Sequence, residues 1–446
     1  MTPPSELIEQ LNHPDVEERI GALQELVGMV RSGDLPAPSR QHNVNNHIHT
    51  TYSFSPYSPT KALWMAYNSG LVTSGIMDHD SVSGAEEFTA AGRVIGMGTT
   101  VGAEIRVSAQ HTRLAGRRIN NPDQNTVAYM AIHGIPHTRL DAVDEFLESV
   151  REARNGRNAA MVEKINDLVN LPDLILDMQS DVMPLSMCHE GGSITERHLL
   201  FALGHKLIAK FGKGSDLLEY LKTAFGMQIS SKNEQFLRDP DNPHYDYDLL
   251  GALKSDFVPK MYIPADDELV DMQAAVDFAA EIGAVSAYAY LGDVGQSVTG
   301  DKKAQKFEDD YLDLLFDELD KIGFNAVTYM PSRNTMEQLH RVKEKCREHR
   351  LFQISGEDIN SPRQTFICEA LKDPEFNNLF DATYALIGHE LEAGTDLRKA
   401  MFSRGTVERI PDLDERIEHY AAIGRKEVES RNITMDERES KKSFCR

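Results

Sequence analysis

Apolar positions recur at helical spacing at the start of the chain: Leu7, Leu11, Val16, Ile20, Leu23, Leu26 and Val30 form one stripe over residues 5–32. The break Ser32-Gly33-Asp34-Leu35-Pro36-Ala37-Pro38 follows, so residues 1–40 read as an N-terminal helical extension. From Asn43 the period changes. Short β-prone runs at 44–49, 71–78, 99–107 and 126–133 alternate with helical patterns at 60–68 and 84–94. Between 136 and 259 the alternation stops and helices are expected at 140–154, 161–171, 196–211 and 216–225, a helical insertion ending in the turn-rich, acidic stretch 239–246. The rhythm then resumes: helix 267–282, strand 284–291, helix 303–322, strand 324–330, helix 335–348, strand 351–355. The stripe Phe307, Tyr311, Leu314, Leu315, Leu319 and Ile322 reads as packing against a sheet. Residues 376–446 form a C-terminal helical extension, with helices at 379–387, 397–402 and 412–429 and a frayed charged end at 436–442.

Strands alternating with helices imply an α/β fold with a parallel sheet, a barrel or a doubly wound layer, built from 41–135 and 260–375. The chain of 446 residues accommodates one such domain with its insertion. No apolar run approaches the roughly eighteen residues a membrane helix needs, and the first residues lack a secretory pattern, so a cytoplasmic protein without membrane contact is expected. The four cysteines, Cys188, Cys346, Cys368 and Cys445, show no paired spacing and read as reduced thiols. With 47 Lys+Arg against 70 Asp+Glu the net charge is -23, which disfavours long nucleic acids as partners. A small anionic substrate is still compatible where a bound cation reverses the potential of one cleft.

Candidate chemistry collects at the carboxyl ends of the expected strands. His47 and His49 alternate on the first strand and so share a face, a spacing that suits one divalent metal. Asp78 and His79 close the second strand, Glu104 lies late in the third, and Glu357 and Asp358 follow the last. Strand carboxyl ends are where parallel α/β folds build sites, and four of them carrying His, Asp or Glu outweigh an isolated His-x-His.

Six segments resemble, in order, the motifs of the PHP (polymerase and histidinol phosphatase) superfamily, and within it the stand-alone metal-dependent phosphoesterases. They are His47-Ile48-His49-Thr50 with Ser53, Met77-Asp78-His79-Asp80, Gly102-Ala103-Glu104-Ile105, Glu196-Arg197-His198-Leu199, Tyr329-Met330-Pro331-Ser332-Arg333-Asn334-Thr335 and Ser355-Gly356-Glu357-Asp358-Ile359-Asn360. The resemblance spans about 43–370 and implies a distorted (β/α)7 barrel with a metal cluster at the strand carboxyl ends. It also implies that one ion takes His47, His49, Glu104 and Asp358, a shell suited to Zn²⁺, Mn²⁺ or Fe²⁺. Other positions depart from the family pattern: Phe54, Tyr129, Tyr290 and Asn360 stand where further ligands are expected, so one ion rather than a cluster follows. His111, His133, His137 and His189 are loop candidates for a missing ligand. The expected function is hydrolysis of a small phosphorylated metabolite, a nucleotide or sugar phosphate, by metal-activated water. In it His79 and His198 act catalytically, and Arg197, Arg333 and Arg363 offer guanidinium forks to phosphate. The alternatives are a degenerate member that binds metal or phosphorylated ligand without turnover, and a single-metal hydrolase of the amidohydrolase kind.

Overall fold

The computed structural model describes residues 2–39, 43–294 and 305–443, with side chains to 431. Its centre is a curled sheet. Strands β1 (Asn43–Ile48), β2 (Leu71–His79), β3 (Gly98–Ser108), β4 (Val127–His133), β6 (Val285–Ala289), β7 (Ala326–Tyr329) and β8 (Phe352–Ser355) follow one path in that order. A two-residue strand β5 (Val270–Asp271) pairs alongside β3. The path bends back on itself: Ile359, just beyond β8, makes a parallel bridge to Ile48. The His49 N–H donates to the Ile359 carbonyl at 2.9 Å, and the Ile359 N–H to the His47 carbonyl at 3.1 Å.

The fully parallel sheet expected from the β/α rhythm is not what forms. β4 is antiparallel to both β3 and β6. The segment between β3 and β4 holds no helix, and a parallel return needs a crossover of a dozen residues or more, usually helical. The reversal carries the start of β4, with Tyr129, to the end of the sheet where β3 presents Glu104 and Arg106.

Other differences trace to polar residues. The N-terminal stripe is two helices, Pro4–Gln10 and Val16–Ser32, because Asp15 caps the second through the N–H groups of Glu17 and Glu18. The helices expected at 140–154 and 161–171 are one helix, Leu140–Val169. Its polar middle reads as a break in sequence, yet Arg154, Arg157 and Asn158 are all buried there. The helix expected at 303–322 runs only over Leu312–Ile322; positions 303 and 304 lie outside the described residues. The last helix extends to Ser443, through the expected frayed end.

Leu140–Val169 joins two hydrophobic cores. Val143, Leu147 and Val150 pack with the sheet's outer helices, whereas Met161, Val162, Ile165 and Val169 pack with Leu199, Leu203, Leu249 and Leu253 of the insertion. A third apolar cluster joins inward residues Met77, Ala131, Ala287 and Ile354 of the sheet to Ala385, Leu386 and Tyr420 of the C-terminal helices Asn377–Thr395 and Leu413–Ser443. These helices close one end of the sheet, and the polar residues gather at the other. Among the described residues no helix is long and apolar enough to cross a membrane.

Candidate metal centre

The end of β1 is built around Asn45. Its Oδ1 accepts from the N–H groups of His47 (2.9 Å) and Glu357 (3.0 Å), while its Nδ2 donates to the Glu357 carbonyl at 3.1 Å. One side chain thus ties the histidine strand to the segment carrying Asp358. Gly356 permits the approach, since a Cβ there would lie 2.5 Å from His47 Cβ and 2.7 Å from its backbone nitrogen.

His49 is oriented from behind. Asp78, at the end of β2, accepts from the Thr50 N–H, the Thr50 hydroxyl and the Ser53 hydroxyl, each at 2.6 Å. Ser53 Oγ lies 3.2 Å from His49 Nδ1. Because the Ser53 proton is already given to Asp78, the serine oxygen accepts from His49, which puts the imidazole proton on Nδ1. In the neutral ring the lone pair then lies on Nε2. That Nε2 is buried and hydrogen-bonded to nothing. It points instead at two carboxylates, Asp358 Oδ1 at 3.2 Å and Glu104 Oε2 at 3.8 Å.

The same Glu104 oxygen lies 3.6 Å from His47 Nε2 and 3.1 Å from His79 Nδ1, so three imidazoles converge on it. His79 and Glu104 are register partners on β2 and β3, which fixes their proximity. Among the described residues His47, His49 and Glu104 form the group able to offer three ligand atoms to one ion. Asp358 stands at its mouth, its side chain 37% exposed, with Oδ1 accepting from Asn360 Nδ2 at 2.5 Å.

Charge at the centre is strongly coupled. Burial raises the pKa of Glu104, but His79, His47 and His49 outweigh it and hold the carboxyl down to about 2. Burial likewise acts against ionised Asp358, yet His49, His47 and Arg197 keep it well below the usual carboxylate range. His79 goes the other way: burial dominates and drives its pKa well below normal despite Glu104.

A cleft between sheet and insertion opens over these groups as two adjoining cavities of about 510 and 590 Å³. The inner one is lined by His47, His49, His79, Glu104 and Tyr129, and Asp358, Arg197, Lys254 and Arg333 border both. Arg363 belongs to the outer cavity. Its guanidinium is clamped by Asp248 at 2.7 and 2.8 Å and lies over the Phe236 ring at 3.8 Å.

His198, expected to act catalytically, is only 1% exposed. Its Nδ1 accepts the Thr195 N–H at 3.0 Å, capping the helix Glu196–Phe211, and its ring packs edge-on against Phe54. Burial lowers its pKa to about 3. These contacts give it a structural place behind the cleft wall rather than one at the reacting atoms. Phe54 joins the insertion core. The Tyr129 hydroxyl accepts from Arg106 Nε at 3.1 Å, with its ring 6.0 Å from His79. Tyr290 turns its hydroxyl to Asp309 Oδ1 at 2.5 Å. Of the loop histidines, His111 pairs with Asp271 at the surface, His133 is buried within the sheet with a pKa lowered by burial to about 3, and His137 lies against Gly394. His189 is on a short 3₁₀ turn, Cys188–Glu190.

One feature escaped the sequence reading. Beside the centre lies a buried network of Arg106, Arg154 and Arg157 with Asp80, Glu196 and Glu268, three charges of each sign. Its sequence signal is slight, an Arg-x-x-Arg spacing on a helix and an aspartate after His79.

No protein-family model matches the chain, and no curated protein matches it. Solved structures that it resembles include a protein provisionally assigned as a metal-dependent phosphoesterase, from Bifidobacterium adolescentis. That likeness has a TM-score of 0.47 and 18% identity, covering 76% of this chain and 96% of that one. Another is an amidohydrolase from Chromobacterium violaceum solved with sulfate and no metal, at a TM-score of 0.47 and 17% identity over 73% and 90% of the two chains.

Proposed function

We propose that the chain is a metal-dependent phosphoesterase of the PHP type, with one divalent ion held by His47, His49, Glu104 and Asp358. The observation that carries this is the Nε2 of His49, buried, without a hydrogen-bond partner, and facing two carboxylates. In the neutral ring a nitrogen lone pair set against carboxylate oxygens is repulsive unless a cation lies between them, and imidazole with carboxylate is a donor set that Zn²⁺, Mn²⁺ and Fe²⁺ accept. The Asp78–Ser53 relay is the outer partner that metal-binding histidines ordinarily have. Bound there, the ion supplies a nucleophilic water near neutral pH and positive charge for the phosphoryl oxygens.

The chain's own groups do the rest. His79 borders the inner cavity as the group placed to carry a proton, while Arg197 and Arg333 border both cavities and present guanidinium to phosphate. The two cavities together suit a small phosphorylated metabolite rather than a polymer. Purified protein reconstituted with Mn²⁺, Zn²⁺ or Fe²⁺ is expected to retain one equivalent of metal by elemental analysis and to hydrolyse members of a phosphomonoester and phosphodiester panel. Absence of both metal and turnover overturns the proposal.

A second reading, ligand binding without turnover, is favoured by the commitment of Tyr290 to Asp309 and of Asn360 to Asp358, with His47, His49 and Glu104 the one ligand group among the described residues. Stoichiometric metal with tight phosphate binding and no hydrolysis of phosphoesters, amides or carboxylic esters is its signature.

A further inference from the structure

We propose that Arg154, outside the cleft and without contact to any reacting atom, is the positioning residue that aims His79. Asp80, which follows His79, has φ +49°, a left-handed conformation that aspartate tolerates but does not prefer. It is held on three sides. Its N–H donates to the Glu104 carbonyl at 3.0 Å, its carbonyl accepts from Arg151 at 3.1 Å, and its carboxylate meets Arg154 at 2.6 Å. Arg151 and Arg154 are one turn apart on Leu140–Val169, the helix that runs from the sheet's core into the insertion's core. Arg154 is itself fixed by Glu268, which also binds Arg106 and Arg157. The insertion thus grips the residue beside His79 and, on the strand register that brings the two residues side by side, sets how the His79 ring meets Glu104 at 3.1 Å.

Stability alone is a poor account of the network. Buried ion pairs are often replaceable by apolar residues of similar size at little cost, so six charges, five of them on buried residues, are better explained by the geometry they define. A turn that strains the backbone next to a site residue needs surroundings that over-determine it, and the three arginine and backbone bonds do so.

The inference rests on the reading of His79 as a site residue, and its test has one arm independent of activity. In metal-free protein the imidazole resonances of His79 are assigned by their loss in His79→Gln. Arg154→Met is expected to shift the His79 resonance and to lower kcat by about 10²-fold with KM and metal stoichiometry unchanged, the scale of loss for a roughly 1 Å misplacement. Arg154→Lys reaches one of its two carboxylates, and partial recovery of both readouts is expected. Should Arg154→Met not fold, Arg151→Met removes the bond to the Asp80 carbonyl from a more accessible position, with a smaller shift of the same signal expected. An unmoved His79 resonance in the variant that folds, with only the unfolding midpoint lowered, overturns the proposal. If wild-type protein turns over no substrate, the phosphoesterase reading fails while the His79 resonance still decides the positioning role.

Discussion

At the scale of single residues, the centre depends on where one proton resides. Ser53 spends its hydroxyl proton on Asp78 and thereby keeps the proton of His49 on Nδ1. Ser53→Ala is expected to free the ring to flip and to weaken metal binding by about 10–100-fold, measured by competition with a metal chelator, with little change in folding. His49→Ala is expected to abolish both bound metal and any hydrolysis, checked by elemental analysis and assay. Glu308, whose carboxylate accepts the N–H of the cavity-lining Leu291, is fully buried, and burial raises its pKa to about 7 in spite of its backbone hydrogen bonds. A raised carboxyl binds its proton more tightly folded than unfolded, so stability falls as pH rises from about 4.5 to 7 and stays low above that. Urea midpoints measured across pH are expected to decline over that window by up to ~3 kcal/mol and to flatten in Glu308→Gln. The convergence of His47, His49, Glu104 and Asp358, proposed here as ligands, was legible because metal-ligand types stood at strand ends. The place of His198 was not, because a helix-capping imidazole and a catalytic one look alike until burial is known.

Elements were legible where periodicity alone decides and illegible where a connection does. The runs of β1, β2, β3 and β8 are visible as short β-prone segments in the chain, but the direction of β4 follows from the missing helix before it. The continuous Leu140–Val169 helix was read as two because its polar middle is solvated in most proteins and buried in this one. Two close approaches give element-scale predictions. In Gly356→Ala the Cβ would strike His47, so metal affinity is expected to fall with stability, read by chelator competition and thermal melting. Gly388 and Gly424 sit where Asn377–Thr395 crosses Leu413–Ser443, each without room for a methyl beside the other helix's Tyr420 or Tyr384 carbonyl. Gly388→Ala is expected to cost about 1–3 kcal/mol in denaturant unfolding while leaving bound metal intact.

For the molecule as a whole, charge and cleft pull in opposite directions. The net charge of -23 repels polyanions over the surface, while Arg197, Lys254 and Arg333 border both cavities. Hydrolysis of a small phosphoester at low salt is therefore expected to be insensitive to added long single-stranded RNA, and inhibition at comparable phosphate concentration would contradict the small-substrate reading.

The bridge from Ile48 to Ile359 also bears on how the chain is made. During synthesis the His47-x-His49 segment emerges early, yet its backbone partner is the stretch after β8, so the N–H of His49 waits for nearly the whole sheet before it is paired. Long-range closure of this kind is slow. A nascent chain halted before Ile359 therefore carries its histidines on an unclosed strand, and the proposed site is expected to be completed only late in synthesis.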